Sequence, residues 1–215
     1  MKRKGIYIVF EGIVGCGKTT QVNLLADLLR VKFPQSEIIT NREPGGTEIA
    51  REIRKLVQAT DFNEEMEPVC EQYLYAASRA QSLRKVVEPA LKRGAIVISD
   101  RSFFTSLVNQ GFGRGLGIEK VLEINKNAVE NLWPDLVLLI DIDIKTSLSR
   151  IKDHDGDKFE KYDEKFYHKV HHGYRVITKK YPRLVKVIDG RGNINRVHRR
   201  IGDYVTKYLS SRLRI

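Results

Sequence analysis

Residues 5–20, GIYIVFEGIVGCGKTT, restrict what this chain can become more than any other stretch. The run GIYIVFE is short, apolar and β-branched, the pattern of a buried strand, and it ends at a glycine. Gly12, Gly17, Lys18 and Thr19 then match G-x-x-x-x-G-K-[ST] in full. From Lys18 to Val31 the residues Val22, Leu24, Leu25, Leu28 and Leu29 follow a helical period. Strand, glycine loop and helix occur in the order in which a phosphate cradle works. Glycines let backbone N–H groups turn inward around phosphate oxygens, and the helix N-terminus adds partial positive charge. Gly12, Ile13, Val14, Gly15, Cys16, Gly17, Lys18, Thr19 and Thr20 are therefore the candidate nucleoside triphosphate loop. Lys18 is placed to reach the β/γ-phosphates, and the Thr19 hydroxyl to ligate Mg²⁺. The alternative, a turn whose glycines serve geometry alone, leaves the lysine and threonine without a purpose.

The remainder alternates strands with helices. EIIT (37–40), AIVIS (95–99), LVLLID (136–141) and LVKVID (184–189) read as strands two to five. Helical patterns fill 47–58, most of 66–93 with a kink or break at Pro89, 118–131 and 163–181. GFGRGLG (111–117) reads as a glycine-rich loop. Apolar strands without alternation predict an α/β fold, a five-stranded parallel sheet flanked by helices on both faces, of the P-loop NTPase type. No linker interrupts residues 1–215, so one domain is expected. Loops leaving the carboxyl ends of the strands gather at one edge. The loop 12–20, Arg42–Gly46, Asp100–Arg101 and Asp141 all fall there.

The 215 residues carry 38 Lys+Arg against 27 Asp+Glu, a formal charge of +11. That balance suits nucleic acid, an anionic surface or a small polyanionic substrate. Residues 191–215 hold seven basic side chains against Asp203, with Ile194, Val197, Ile201, Val205 and Tyr208 at helical spacing. The expected element is a terminal helix with its apolar stripe docked and its basic face in water, nucleic-acid binding being the alternative. No stretch is apolar enough to span a bilayer, and the basic start MKRKG leads into a strand, not a signal-peptide core. Cys16, a space-filler in the loop, and Cys70, expected in the core, make no metal or disulfide spacing. His168, His171 and His172 read as a solvated helix face, since no further ligand accompanies them. A cytoplasmic protein is expected.

A phosphate loop does not name the phosphate acceptor. The N-K-x-D sequence by which a GTPase reads its base is absent, and the length suits a kinase of a small acceptor. At this point FEG, REPGGTE (42–48), YAASRAQ (75–81), DRS (100–102), QGFGRGLG (110–117), PDLVLLIDI (134–142) and DKFE (157–160) accumulate in order. With them the chain resembles the thymidylate kinase family over essentially its whole length. That resemblance implies ATP as donor, dTMP as acceptor, Mg²⁺ as cofactor and a homodimer.

Each motif also has a physical reading. Arg42 offers a planar fork for a phosphate, and Pro44 with its glycines fixes a turn that lets an acceptor approach. Tyr75 and Arg79 stand four apart on a helix and so share a face. Asp100 closes a strand, where a carboxylate can hold Mg²⁺, while Arg101 faces the acceptor phosphate. The resemblance implies an acceptor set of Arg42, Glu43, Pro44, Tyr75, Arg79, Arg101, Asn109, Gln110 and Phe159, and places Arg191 on the ATP side. It also implies a lid at about 150–160, RIKDHDGDKFE, that closes over ATP. Family members place a catalytic arginine either in the lid or in the phosphate loop. Here the loop position is Gly15, so the charge is expected from Arg150, Lys152 and Lys158, alongside Lys18 and Arg101. Lys158 stands where an arginine is common, and a lysine lacks the bidentate fork, so weaker catalysis is expected.

Two positions depart from the family pattern. Val14 stands where the family carries an acid against the acceptor's 3′-hydroxyl, and Asn109 where it carries an aromatic beside the deoxyribose. Both concern the sugar and neither concerns ATP. The expected activity is phosphorylation of dTMP to dTDP. The alternatives are a paralogous kinase of another nucleoside monophosphate and a weakly active nucleotide-binding protein whose basic C-terminus takes nucleic acid.

Overall fold

Strand β1 (Ile6–Glu11) is buried at every residue, and so is β3 (Ile96–Asp100), which means both faces of the sheet between them are covered. The computed structural model describes residues 5–151 and 162–213. With β2 (Ile38–Arg42), β4 (Leu136–Asp141) and β5 (Val185–Asp189) these strands form one parallel sheet in the order β2-β3-β1-β4-β5. Tyr7, Ile8, Phe10, Ile96, Ile98 and Leu138 are among its fully buried side chains. Each such burial contributes about 1.5–3 kcal/mol before chain entropy is charged against it. The register sets Arg42 opposite Asp100 and Asp100 opposite Phe10, so the chemical residues of three strands end level at one edge.

The predicted helices are present with shifted ends, together with a short one after β3 that no pattern marked. They are α1 (Lys18–Lys32), α2 (Glu48–Gln58), α3 (Pro68–Ser82), α4 (Glu88–Arg93), α5 (Phe103–Ser106), α6 (Ile118–Val129), α7 (Ile144–Ile151), α8 (Glu164–Lys180) and α9 (Ile194–Leu213). Pro89 does not break its segment. A wide π-helical turn, Leu83–Val87, joins α3 to α4 and leaves Pro89 in the first turn of α4, where a missing N–H costs little. Side-chain oxygens of Thr47 and Asp163 cap α2 and α8, accepting from Ala50 N and Phe166 N.

The expected loop at 111–117 is shorter than its glycines suggest. A second π-helical turn, Leu107–Gly113, takes up its first three residues. Gly113 is glycine because the turn packs on α8: a Cβ there would stand 2.3 Å from the Phe166 ring. Gly115 and Gly117, at φ +77° and +82°, serve the backbone of the loop that remains.

Cys70 is exposed, not core, because it lies in the first turn of α3 off the buried face of Glu71, Gln72, Tyr75 and Ala76. In α9 the stripe is Val197, Ile201, Val205 and Leu209, whereas Ile194 is 58% exposed at the helix start. Tyr208 packs beside the stripe and donates to Asp135 O at 2.9 Å. Part of the basic face also serves the fold. Arg200 donates to the carbonyls of Asp189 and Arg191 at 2.6 and 2.8 Å, and Arg212 lies over the Tyr208 ring at 4.6 Å. No helix among the described residues is long and apolar enough to cross a membrane. We therefore expect binding to DNA and RNA weaker than about 1 μM in filter titrations at about 0.15 M salt. Tighter binding that collapses steeply with added salt would restore the nucleic-acid reading of the helix.

Candidate active site

The loop between β1 and α1 closes on its own lysine. Gly12 has φ +142°, and a Cβ there would stand 2.5 Å from Ile140 O, so the strand leaves the sheet only as glycine. Lys18 Nζ donates to the carbonyls of Gly12 (2.9 Å) and Ile13 (2.8 Å) and lies 3.4 Å from Cys16 Sγ. Cys16 is buried and fills the loop as expected. Burial lowers the Lys18 pKa most, the Arg101 charge adds to this, and Cys16 and Asp100 oppose it. Gln21 donates to Ile194 O at 3.0 Å, which pins the loop's helix to the start of α9.

A cleft of about 1230 Å³ opens over this loop. Val14 to Gln21 form one wall, Gly190 and Gly192 to Ile194 another, and Arg42, Arg54, Asp100, Arg101 and Arg150 reach in from the rest. Arg150, in the last turn of α7, donates to Gly15 O at 3.0 Å and brings a guanidinium to the loop position that lacks one of its own. Arg191 stands between the cleft residues Gly190 and Gly192 but does not itself line the cleft, and its guanidinium is engaged with Asp189 at 2.9 Å. That contact holds the Asp189 carboxyl down at about 2. Lys152, Lys158 and Phe159 lie outside the described residues.

At the back of the cleft Thr19 Oγ1 donates to Asp100 Oδ2 at 2.5 Å. Asp100 Oδ1 is buried with no hydrogen-bond partner among the described residues. A hydroxyl and a carboxylate with a spare oxygen, set at the mouth of a phosphate loop, fit a divalent cation that keeps part of its water.

A second, narrower pocket adjoins the cleft. It is lined by Arg42, Glu43, Pro44, Tyr75, Arg79, Arg101, Asn109 and Gln110, so the expected acceptor residues within the described chain are brought together. The Glu43–Pro44 peptide is cis, and Ser78 ties this turn to α3 by accepting from Gly45 N and donating to Ala50 O. Arg79 lies beneath the turn, 3% exposed. It pairs with Glu43 at 2.7 Å and donates to Asn125 Oδ1, Ser102 O and Ser106 Oγ. Burial raises the Glu43 pKa and the Arg79 charge opposes it. Gln110 is also buried, its amide held by Glu71 at 2.8 Å.

Three contributors went unread in the sequence. Arg54 lines both cavities and donates to Pro44 O at 3.1 Å. Its signal was a charge placed on the inward stripe of α2, between Ala50 and Val57. Glu11 closes β1 while 1% exposed, and it gathers Ser102 N (2.9 Å), Ser102 Oγ (2.8 Å), Thr105 Oγ1 (2.6 Å) and Tyr174 Oη (2.9 Å). Its signal was an acid at the end of an apolar strand. Tyr174, on α8, had none. This hub grips the segment of Arg101, whose φ of 76° is unusual for a residue with a side chain. Burial works against the Arg101 charge, but Tyr174, Asp100 and Glu11 outweigh it and keep the guanidinium firmly protonated.

Asp141 does not join the site. Its carboxylate turns toward α8 and meets His171 Nε2 at 3.1 Å. His171 is thus shielded against a carboxylate, correcting the solvated face expected of it, while His168 stays exposed beside Glu164. No group of three or more His, Cys, Asp or Glu side chains able to hold a metal ion occurs among the described residues.

The thymidylate kinase family model matches residues 10–201. A thymidylate kinase of Thermoanaerobacter sp. (strain X514) is 41% identical over 207 residues, covering 96% of this chain and all of that one. One from Mesomycoplasma hyopneumoniae (strain J) is 39% identical over 213 residues, covering 96% of this chain and 99% of the relative. The crystal structure of thymidylate kinase from Ehrlichia chaffeensis superposes with a TM-score of 0.78 at 28% identity, over 94% of this chain and 98% of that chain. With a match spanning nearly the whole sequence and a phosphate loop opening onto a second, arginine-rich pocket, the chain belongs to the thymidylate kinase family.

Proposed function

We propose that the protein transfers the γ-phosphoryl group of ATP to dTMP, giving ADP and dTDP. The observation that carries this reading is the shared wall: Arg42, Arg54 and Arg101 line both the phosphate-loop cleft and the pocket of Tyr75 and Gln110. A donor in the first cavity and a monophosphate in the second meet at three guanidinium groups. An oxygen of the acceptor phosphate attacks the γ-phosphorus, the bond to the β–γ bridging oxygen breaks, and ADP leaves with that oxygen. Such transfer depends on positioning and charge neutralisation more than on a base.

Lys18 and Arg150 sit where charge on the moving phosphoryl group is neutralised. Arg42, Arg54 and Arg101 hold the acceptor phosphate, while Tyr75, Arg79 and Gln110 surround its base. Glu11 keeps the Arg101 segment in place. Thr19 and Asp100 would hold Mg²⁺, which when bound neutralises donor phosphate charge. The resemblance assigns a lid to about 150–160, most of which lies outside the described residues; Arg150 is its described cation. By the same resemblance the enzyme works as a homodimer in the cytoplasm.

An ADP-release assay across a panel of nucleoside monophosphates tests this reading. The highest kcat/KM is expected for dTMP. A clear preference for another monophosphate would establish the paralogue instead, and no turnover with any of them would leave nucleotide binding alone.

Val14 gives a narrower test. It is half-buried, packs on the core and shares a small cleft with Arg101 and Asn109. Its carbonyl already accepts from Ser147 Oγ at 2.7 Å, and its side chain offers a hydroxyl nothing. Val14→Asp should raise the kcat/KM ratio of dTMP over 3′-deoxy-dTMP by about fivefold, the worth of one hydrogen bond. An unchanged ratio would show that the sugar is not read at this position.

A further inference from the structure

Glu71 of α3 and Gln110 of the π-helical turn Leu107–Gly113 form a polar pair that bridges these two elements. The residues are 0% and 1% exposed, and Gln110 Nε2 donates to Glu71 Oε1 at 2.8 Å. A carboxamide has two unlike ends, a donating NH₂ and an accepting oxygen, whereas an ionised carboxylate can only accept. Glu71 therefore claims the NH₂ end, and the oxygen is what Gln110 has left to offer the acceptor pocket that it lines. Two features favour the ionised carboxylate. Glu71 lies in the first turn of α3, where the helix dipole stabilises negative charge. The Arg114 guanidinium is also within reach of its charge: burial works against the Arg114 cation, but Glu65, Tyr162 and Glu71 outweigh it. Arg114 is itself fixed by donating to Glu65 Oε1 at 2.9 Å and to Met66 O at 2.8 Å.

We propose that Glu71 is a positioning residue for base selection: it fixes which end of the Gln110 amide meets the acceptor base. The proposal rests on the dTMP reading above, in which Gln110 lies beside the base, and deepens it. An amide oxygen held toward the pocket accepts from the ring N–H of thymine. Cytosine carries a lone pair at the same ring position, and that oxygen repels it. An amide free to turn over offers its NH₂ to cytosine instead and loses the distinction. Selection by hydrogen bonding is strong only where the site's own polar group cannot adapt to the wrong partner. Glu71 touches no substrate in this arrangement, and it acts through Gln110 alone.

The test compares kcat/KM for dTMP and 5-methyl-dCMP, which share the methyl group and differ only along the edge that the amide meets. Wild type should prefer dTMP by about a hundredfold or more. Glu71→Gln presents an amide that pairs with Gln110 in either orientation, so the preference should fall by about tenfold, with a lower KM for 5-methyl-dCMP. On a Gln110→Ala background the same change should leave the preference unmoved, since a residue acting through Gln110 has nothing left to act on. A ratio within one protein is not moved by a loss of stability, so a merely structural role leaves it as in wild type. That result, or an equal fall with and without Gln110, overturns the proposal while the dTMP reading stands. A wild type that prefers 5-methyl-dCMP, or that turns over neither acceptor, overturns both. Should Glu71→Gln fail to fold, as judged by a thermal melt, Glu71→Met removes the carboxylate at similar volume and gives the same comparison.

Discussion

Lys18→Ala should lower phosphoryl transfer by about a thousandfold or more while the protein remains folded. The ammonium group is buried at the centre of the phosphate loop, held by two backbone carbonyls that keep it in place before any substrate arrives. Such preorganised charge acts where negative charge develops, and it needs no rearrangement at the moment of reaction. Arg150 donates to Gly15 O and Arg101 to Thr105 Oγ1, so neither takes the place of Lys18 against Gly12 O and Ile13 O. Loss of the lysine removes hydrogen bonds to Gly12 O and Ile13 O at a cost of about 1–2 kcal/mol, well within what a stable domain tolerates. Single-turnover kinetics beside a thermal melt separate the two effects. A folded Lys18→Ala protein with near-normal turnover would rule out the phosphate-loop mechanism.

Arg79→Met should produce the largest stability loss of the pocket substitutions, about 3–5 kcal/mol, together with a raised KM for dTMP. Arg79 and Glu43 are 4% and 2% exposed at their side chains, and the pair is 2.7 Å apart. Removing one member leaves the other as a buried charge without compensation. The pH dependence of the deficit has a definite sign. Burial already raises the Glu43 pKa and only Arg79 strongly opposes it, so without Arg79 the folded pKa lies further above the unfolded one. Stability from a raised carboxyl is fully present below the unfolded pKa, about 4.3, and is lost as pH rises toward the folded value. Urea unfolding should therefore show a smaller deficit near pH 4.5 than near pH 8. The double variant Glu43→Gln/Arg79→Met should recover part of the loss at pH 8. A deficit that is equal at both pH values and not relieved by the second change would mean that Arg79 acts through packing alone.

Local chemistry made much of this molecule readable. The glycines, lysine and threonine of residues 12–19 work through backbone and side chains a few positions apart, so their purpose is written in their spacing. The same holds for Tyr75 and Arg79, which share a face by helical period and do line one pocket. Burial on both faces left β1 and β3 apolar, and the parallel sheet followed from that pattern. The order of motifs was sufficient to name the family.

Distant contacts decided the rest. Cys70 looks like a core residue by type, yet it is exposed, because which face of α3 meets α2 and α6 is a matter of packing. Asp141 ends a strand as Asp100 does, but β4 faces α8 at that level, and His171 claims its carboxylate. Glu11 and Tyr174 are 163 residues apart and meet only once α8 docks. Val14 and Asn109, separately read as departures, turn out to line one cleft. The sequence by itself determined the sheet, the phosphate loop and the family, since each depends on residue types at short spacing. Only the tertiary structure decided which side chains share a wall and which buried polar groups remain unpartnered. Those follow from strand register and helix docking, which bring together residues that no local pattern relates.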